Sequence, residues 1–197
     1  MSFNVITIFF LLPSLITLIV LRIRRQPWTK IFALLGWQLG APVYYLWALG
    51  FVLVSALPLL AIALFVFPDL YQHPAPGTTL YDYARLGFSF FSVLSAFLYE
   101  FFYTALGEEV FFRGLLGGWL MRRFGFWVGN LLQTLIFLVP HLLILLAGLN
   151  LWPLLILQLL AGWLLGWLRY KSGSILPGMV MHSLVNTLSD LLAMLMG

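Results

Sequence analysis

Apolar and polar residues do not alternate along this chain at a strand period, nor are the apolar ones confined to a single helical stripe. The apolar positions run on almost unbroken, for stretches that reach or approach the ~20 residues needed to cross a bilayer as a helix. This pattern predicts helices over residues 3–21, 43–67, 86–122, 126–148, 151–168 and 175–196. Residues 31–41, IFALLGWQLGA, are apolar too, but run into Pro42, and read as an interfacial helix or a prefix to the second span. The stretch 68–85, with Pro74, Pro76 and Gly77, reads as the long polar loop. The expected fold class is all-α, a polytopic transmembrane helical bundle of about six spans.

The third stretch is awkward. As one helix, residues 86–122 would measure about 55 Å at ~1.5 Å per residue, against a bilayer core of ~30 Å. Either this helix tilts and projects from the membrane, or Gly107 breaks it.

Basic residues orient the runs. Arg22, Arg24, Arg25 and Lys30 follow the first, Arg122 and Arg123 the third, and Arg169 and Lys171 the fifth, whereas the alternate connections hold only Arg85. The positive-inside rule places those three basic loops in the cytoplasm and both termini outside.

Composition agrees and narrows the choices. Hydrophobic residues make up 63% of the 197 and charged residues 8%, where a soluble domain would carry roughly a quarter charged. The net charge of +4 comes from the loops and gives no reason to expect nucleic acid. There is no Cys, which excludes a disulfide framework, a thiolate nucleophile and a Cys-ligated metal. The first apolar run lacks the basic flank of a cleavable signal peptide and is expected to remain as a helix.

Against this background the segment ALGEEVFFRGLL places Glu108, Glu109 and Arg113 within an apolar helix. Each such charge costs at least ~2.5–3.5 kcal/mol on insertion scales, so each needs a reason. Glu109 and Arg113 are four apart with the acid first, the favoured order for a helical ion pair. Glu108 points about 100° away around the helix and cannot share that partner equally, so it is a candidate for general acid–base work. His141 follows Pro140 in FLVPH, where the proline frees a backbone carbonyl and makes room beside the ring. His182 stands one turn before Asn186, and Asp190 continues that stripe by another turn, where it either orients the site from behind or reaches the outer interface. Counted from the basic loops, Glu108, His141 and His182 fall in one middle layer of the membrane. Glu100 reads as a partner for Arg85 or a Tyr hydroxyl near the outer surface, and His73 as a solvated loop residue. Ser183 and Ser189 lack a nucleophile elbow.

EEVFFRG, FLVPH and HSLVN, in this order, resemble the Glu-Glu-x-x-x-Arg, Phe-x-x-x-His and His-x-x-x-Asn motifs of the CPBP family. That family includes the CAAX prenyl proteases of the Ras-converting type and the Abi-type bacterial proteins. The resemblance spans residues 86–196. It implies a catalytic core at 86–197, preceded at 1–85 by N-terminal spans and the polar loop, within one integral membrane domain. It further implies an intramembrane endopeptidase. Glu108 and His141 would activate water, His182 and Asn186 would stabilise the oxyanion, and Glu109 with Arg113 would brace the site. The chain is similar in size to the compact prokaryotic members, which implies a multi-pass protein of the cytoplasmic membrane. Its partners would be the lipid bilayer and a protein or peptide substrate with a lipidated or hydrophobic tail. Such a site can be water-lined and open to the cytoplasm without exposing polar backbone to lipid.

Other readings remain beside this one. His141, His182 and Glu108 could be zinc ligands, since two His and a carboxylate form a known catalytic set. That would use up the free base, so no cofactor is expected and zinc is the alternative. A non-proteolytic, bacteriocin-immunity-like membrane partner and a proton-relaying transporter are the readings from other classes; the transporter lacks a repeat of broken helices in two halves.

Overall fold

A computed structural model describes residues 5–197, with side chains from Thr7 onward; residues 3 and 4, read above as the start of the first helix, lie outside the described residues. The described chain is all helical, without strands. In order come α1 (Val5–Ile23), α2 (Trp28–Leu35), and α3 (Val43–Ala61), which continues as a wider π turn over Ile62–Val66. Then follow α4 (Pro68–Gln72), α5 (Thr79–Leu86), α6 (90–124), α7 (126–141), α8 (Trp152–Ser172) and α9 (Leu176–Met196). By length and composition, Val43–Val66, Phe90–Leu146, Leu149–Ser172 and Leu176–Met196 could each cross a membrane, and Thr7–Ile23 is a shorter apolar helix.

The long run from Phe90 reverses at Gly125, whose φ of 76° and ψ of 171° are not helical. A Cβ at Gly125 would meet nothing within 4 Å, so glycine is used here for its conformation and not for space. The reversal separates α6 from α7 beside Arg122 and Arg123, where the hydropathy pattern predicts it.

Gly107 does not break α6. It is helical and buried, and a Cβ there would lie 3.1 Å from the Thr7 backbone, so its role is to let α1 approach closely. The Thr7 hydroxyl donates to the Tyr103 carbonyl at this crossing. Instead of breaking, α6 widens into i→i+5 bonding over Glu100–Ala105 and Glu109–Gly117, on either side of Leu106–Glu108. Such π segments are frequent at functional sites because they re-aim side chains.

Residues 31–41 are not a continuous prefix to α3; their helical part belongs to the separate short α2. The helix begins earlier, at Trp28, and stops at Leu35 because Gly36 takes φ 78°. Its last carbonyls face the basic end of the bundle: Arg169 Nη2 donates to the Leu34 oxygen at 3.1 Å and Arg122 Nη1 to the same oxygen at 3.3 Å. Cations at a helix C-terminus are the favourable arrangement.

The polar loop 68–85 also carries structure. Pro68 opens α4, and the Thr78 hydroxyl caps α5 by accepting the Tyr81 N–H at 3.2 Å. Tyr71 and Tyr83 are buried, Tyr71 against Leu59 and Ala193 and Tyr83 against Ala96 and Met194. These helices roof the end of the bundle opposite the basic loops. Between α7 and α8 the contact is small and polar: Gln133 Nε2 lies 3.0 Å from the Gly162 oxygen and 2.9 Å from Asn130 Oδ1. Close approach through glycine with interhelical hydrogen bonds is the usual route to helix packing in lipid.

Candidate active site

The polar centre is built on α6. Glu109 Oε1 and Arg113 Nη1 are 3.0 Å apart, one helical turn separates them, and both side chains are fully buried. The Arg113 guanidinium also sits 4.0 Å above the centre of the Phe137 ring from α7. From α9, His182 brings its Nδ1 within 3.0 Å of the same Glu109 Oε1. Its other nitrogen, Nε2, points towards Glu108, with Oε2 at 3.8 Å. Gly178, one turn earlier on α9, makes this approach feasible, since a Cβ there would lie 3.2 Å from Glu109 Oε2. Glu109 therefore serves two partners, where the helical spacing alone assigned it one.

Asn186, the next turn of α9, donates from Nδ2 to Glu100 Oε2 at 2.7 Å. Glu100 is buried rather than paired with Arg85 at the outer surface, and Thr104 on its own helix also donates to it. Asp190 likewise does not reach an interface; it is buried and accepts a hydrogen bond from Thr79. Ser183 donates to the Met179 carbonyl at 2.7 Å, and Ser189 lies 3.2 Å from the Tyr71 hydroxyl, so each serine is engaged locally. His73 is exposed.

His141 ends α7. Its Nδ1 lies 2.9 Å from the Phe137 carbonyl oxygen, and its ring centre is 4.5 Å from that of Phe137. It is within electrostatic reach of Glu108 and His182, but among the described residues no hydrogen bond joins it to Glu108. Glu108 Oε2 lies 3.8 Å from His182 Nε2 and is within electrostatic reach of His141 as well, while His182 and Asn186 each also hold a carboxylate, Glu109 and Glu100. Phe137 carries no role in the residue-level reading, yet it touches the Arg113 guanidinium and the His141 ring and packs edge-on against Phe112 at 5.1 Å. Its place at the head of FLVPH was the available signal.

Residues 90–188 match the family described as type II CAAX prenyl endopeptidase, Rce1-like. The chain belongs to that family. Every residue of the polar centre lies inside the matched segment, and α1 to α5 lie outside it. No curated protein and no solved structure matches the chain. Membership of the Rce1-like family supports an intramembrane protease of the CAAX type, embedded in the bilayer and acting on a peptide.

Beside the polar centre the Rce1-like bundle holds a cavity of about 390 Å³. Phe137, Leu165 and Met181 form its buried floor, and His182 and Asn186 face into it. Its rim consists of residues from the α3–α5 roof and from the tight turns Leu142–Leu146 and Leu149–Leu151. The basic loops take no part in its lining. Tyr71 is at the rim, where burial pushes its phenol above the usual value and keeps it a neutral hydrogen-bonding group.

The residues as placed do not suit a zinc ion. Zinc in a catalytic site takes three protein ligands at about 2.0–2.2 Å. Among the described residues no three His, Asp or Glu side chains converge in this way. Glu109 is committed to Arg113 and His182, so a metal here would have to use Glu108 and the other ring nitrogens of His141 and His182.

Proposed function

We propose that this Rce1-like protease hydrolyses a peptide bond of a membrane-associated substrate through a water held between Glu108 and His182. The observation that carries this is the 3.8 Å separation of Glu108 Oε2 and His182 Nε2, with the other ring nitrogen occupied by Glu109. In the neutral ring, with the Nδ1 hydrogen donated to Glu109, Nε2 is an acceptor. A water placed there donates one hydrogen to the Glu108 carboxylate and one to Nε2, which leaves a lone pair for a carbonyl carbon in the cavity.

The steps then balance. Glu108 takes a proton as the water oxygen bonds to the carbonyl carbon, and returns it to the amine nitrogen as the C–N bond breaks. The amide of Asn186 has two N–H groups; one is given to Glu100, and the second is available to the oxyanion. His141 lies beside this pair as a further proton acceptor near Glu108. Glu109 and Arg113 hold the His182 ring in orientation. No resident metal is used. The apolar cavity suits a hydrophobic or lipidated stretch of substrate.

The reading is tested by mapping new peptide termini in membranes that contain the parent protein or Glu108→Gln. Termini present only with the parent support a Glu108-dependent protease. Identical termini in both argue against it.

A further inference from the structure

The geometry points to a binding site for one anionic phospholipid at the basic end of the bundle, with its phosphate between Arg122 and Arg169 and an acyl chain in the groove between α1, α2 and α6. The site is separate from the polar centre and does not depend on the protease reading.

Two guanidiniums converge there without an acid. Arg169 Nη2 and Arg122 Nη1 approach one carbonyl oxygen, that of Leu34, at 3.1 and 3.3 Å. A Cβ at Gly118 would lie 3.0 Å from Arg122 Nη1 and 3.4 Å from Arg169 Nη2, so the missing side chain leaves the space that the two groups share. Among the described residues no Asp or Glu forms an ion pair with either arginine. The C-terminus of α2 offers about half an elementary negative charge against two positive ones. Arg169 is buried, and its Nε has no hydrogen-bond partner. Bonds to neutral carbonyls use part of each donor fork and leave the charge of the pair uncompensated, which is costly at a poorly hydrated position.

Two adjoining cavities give room for a ligand. One, of about 240 Å³, is lined by both arginines together with Gln38, Gly118 and Tyr170. The other, of about 400 Å³, lies between α1, α2 and α6, where Leu21, Leu34, Phe111, Leu115 and Trp119 line it. Arg122 belongs to both linings, so a charged compartment adjoins an apolar groove. Buried Gly114 shapes the groove: a Cβ there would lie 2.7 Å from the Leu35 oxygen, so α2 rests directly on α6.

The chemistry of the two compartments selects the occupant. A phosphate matches the guanidinium fork and supplies the absent negative charge. An apolar chain fills the groove beside it. Trp119 and Tyr170 are exposed at this end, and amphipathic rings of this kind sit at the headgroup level of a bilayer. Arg123 and Lys171 are exposed here too, so the local potential favours a headgroup of net negative charge over a zwitterionic one. Charge and groove together therefore fit a phospholipid such as phosphatidylglycerol better than a free anion.

The test is native mass spectrometry of the full chain in an uncharged detergent, titrated with phosphatidylglycerol or with phosphatidylcholine of the same chain length. The expected result is one phosphatidylglycerol retained per chain, at concentrations where phosphatidylcholine is not retained. Arg122→Gln should weaken that retention by at least about tenfold, and Arg123→Gln, which lines neither cavity, by less than about fivefold. Arg169 stays in place in both variants, so the contact that holds α2 is kept. Leu115→Trp, which narrows the groove and keeps both arginines, should also cost about tenfold, as displacing two methylenes would. Glycerol phosphate, the headgroup without its chains, should not displace the lipid at equal concentration. Equal retention of the two lipids, equal losses in Arg122→Gln and Arg123→Gln, parent-like retention in Leu115→Trp, or displacement by glycerol phosphate would each overturn the assignment.

Discussion

His182 and Glu109 are 73 positions apart, yet His182 Nδ1 lies 3.0 Å from Glu109 Oε1, the same oxygen that faces Arg113. One carboxylate thus neutralises a buried cation and fixes an imidazole at once. The carboxylate–histidine contact sets which ring nitrogen is left for Glu108, a choice that would otherwise vary with tautomer.

This double duty separates folding from activity. Glu109→Gln leaves the Arg113 guanidinium buried without a carboxylate, and removing one partner of a buried pair costs about 3–5 kcal/mol. Folded yield and thermal midpoint in detergent should fall for Glu109→Gln and for Arg113→Ala. Glu109→Gln with Arg113→Met should recover much of the yield, since both charges are gone, but not the cleavage, because His182 has lost its partner. Cleavage at the parent rate in the double variant would show that the contact does not orient the ring.

Glu100 is expected to act through Asn186. Glu100→Ala frees the Asn186 amide to turn, and misplacement of that kind lowers kcat by up to ~100-fold with little change in KM. Glu100→Gln keeps an acceptor oxygen and should stay within a few-fold of the parent. Equal rates for Glu100→Ala and the parent would remove Glu100 from any positioning role.

Two glycines give a contrast in packing. A Cβ at Gly166 would overlap Asn130 Oδ1 between α7 and α8, and one at Gly50 would meet nothing within 4 Å. Gly166→Ala should destabilise by about 1–3 kcal/mol, as overpacked interiors do, and Gly50→Ala should be neutral or mildly stabilising. Thermal midpoints of the two purified variants decide this; a neutral Gly166→Ala would mean that the α7–α8 contact is looser than described.

Much of this arrangement is legible in the amino-acid order, for physical reasons. Unbroken apolar runs can bury their backbone in lipid only as helices, so the positions of α3, α8 and α9 follow from hydropathy. Glu109 and Arg113 are related by one helical turn, a local relation that spacing reveals. What spacing does not reveal is contact between helices. Nothing in the order of residues joins Glu100 to Asn186 or His182 to Glu109, since those contacts depend on how α9 rotates against α6. Burial of Asp190 depends in the same way on α5 folding back over α9, which a reading of 68–85 as loop leaves out. Gly107 invites the idea of a break because glycine weakens isolated helices, but a neighbouring helix that needs the space is the stronger requirement here.

Metal content is a separate question, and the placement of the donors leads to a definite expectation. Protein purified without added metal should carry well under one zinc per chain by elemental analysis and keep its cleavage rate in the presence of a chelator. One zinc per active chain, with activity lost on stripping and restored by zinc, would make His141, His182 and Glu108 ligands and would require them to move together from the positions described.

The most direct test concerns the water between Glu108 and His182. Glu108→Gln preserves shape but cannot accept the proton, so the purified variant in lipid nanodiscs should bind a cleavable substrate within a few-fold of the parent Kd. Its single-turnover cleavage should fall by at least ~100-fold, the lower end of what a positioned general base contributes. Cleavage by Glu108→Gln at a rate comparable to the parent would contradict Glu108 as the base.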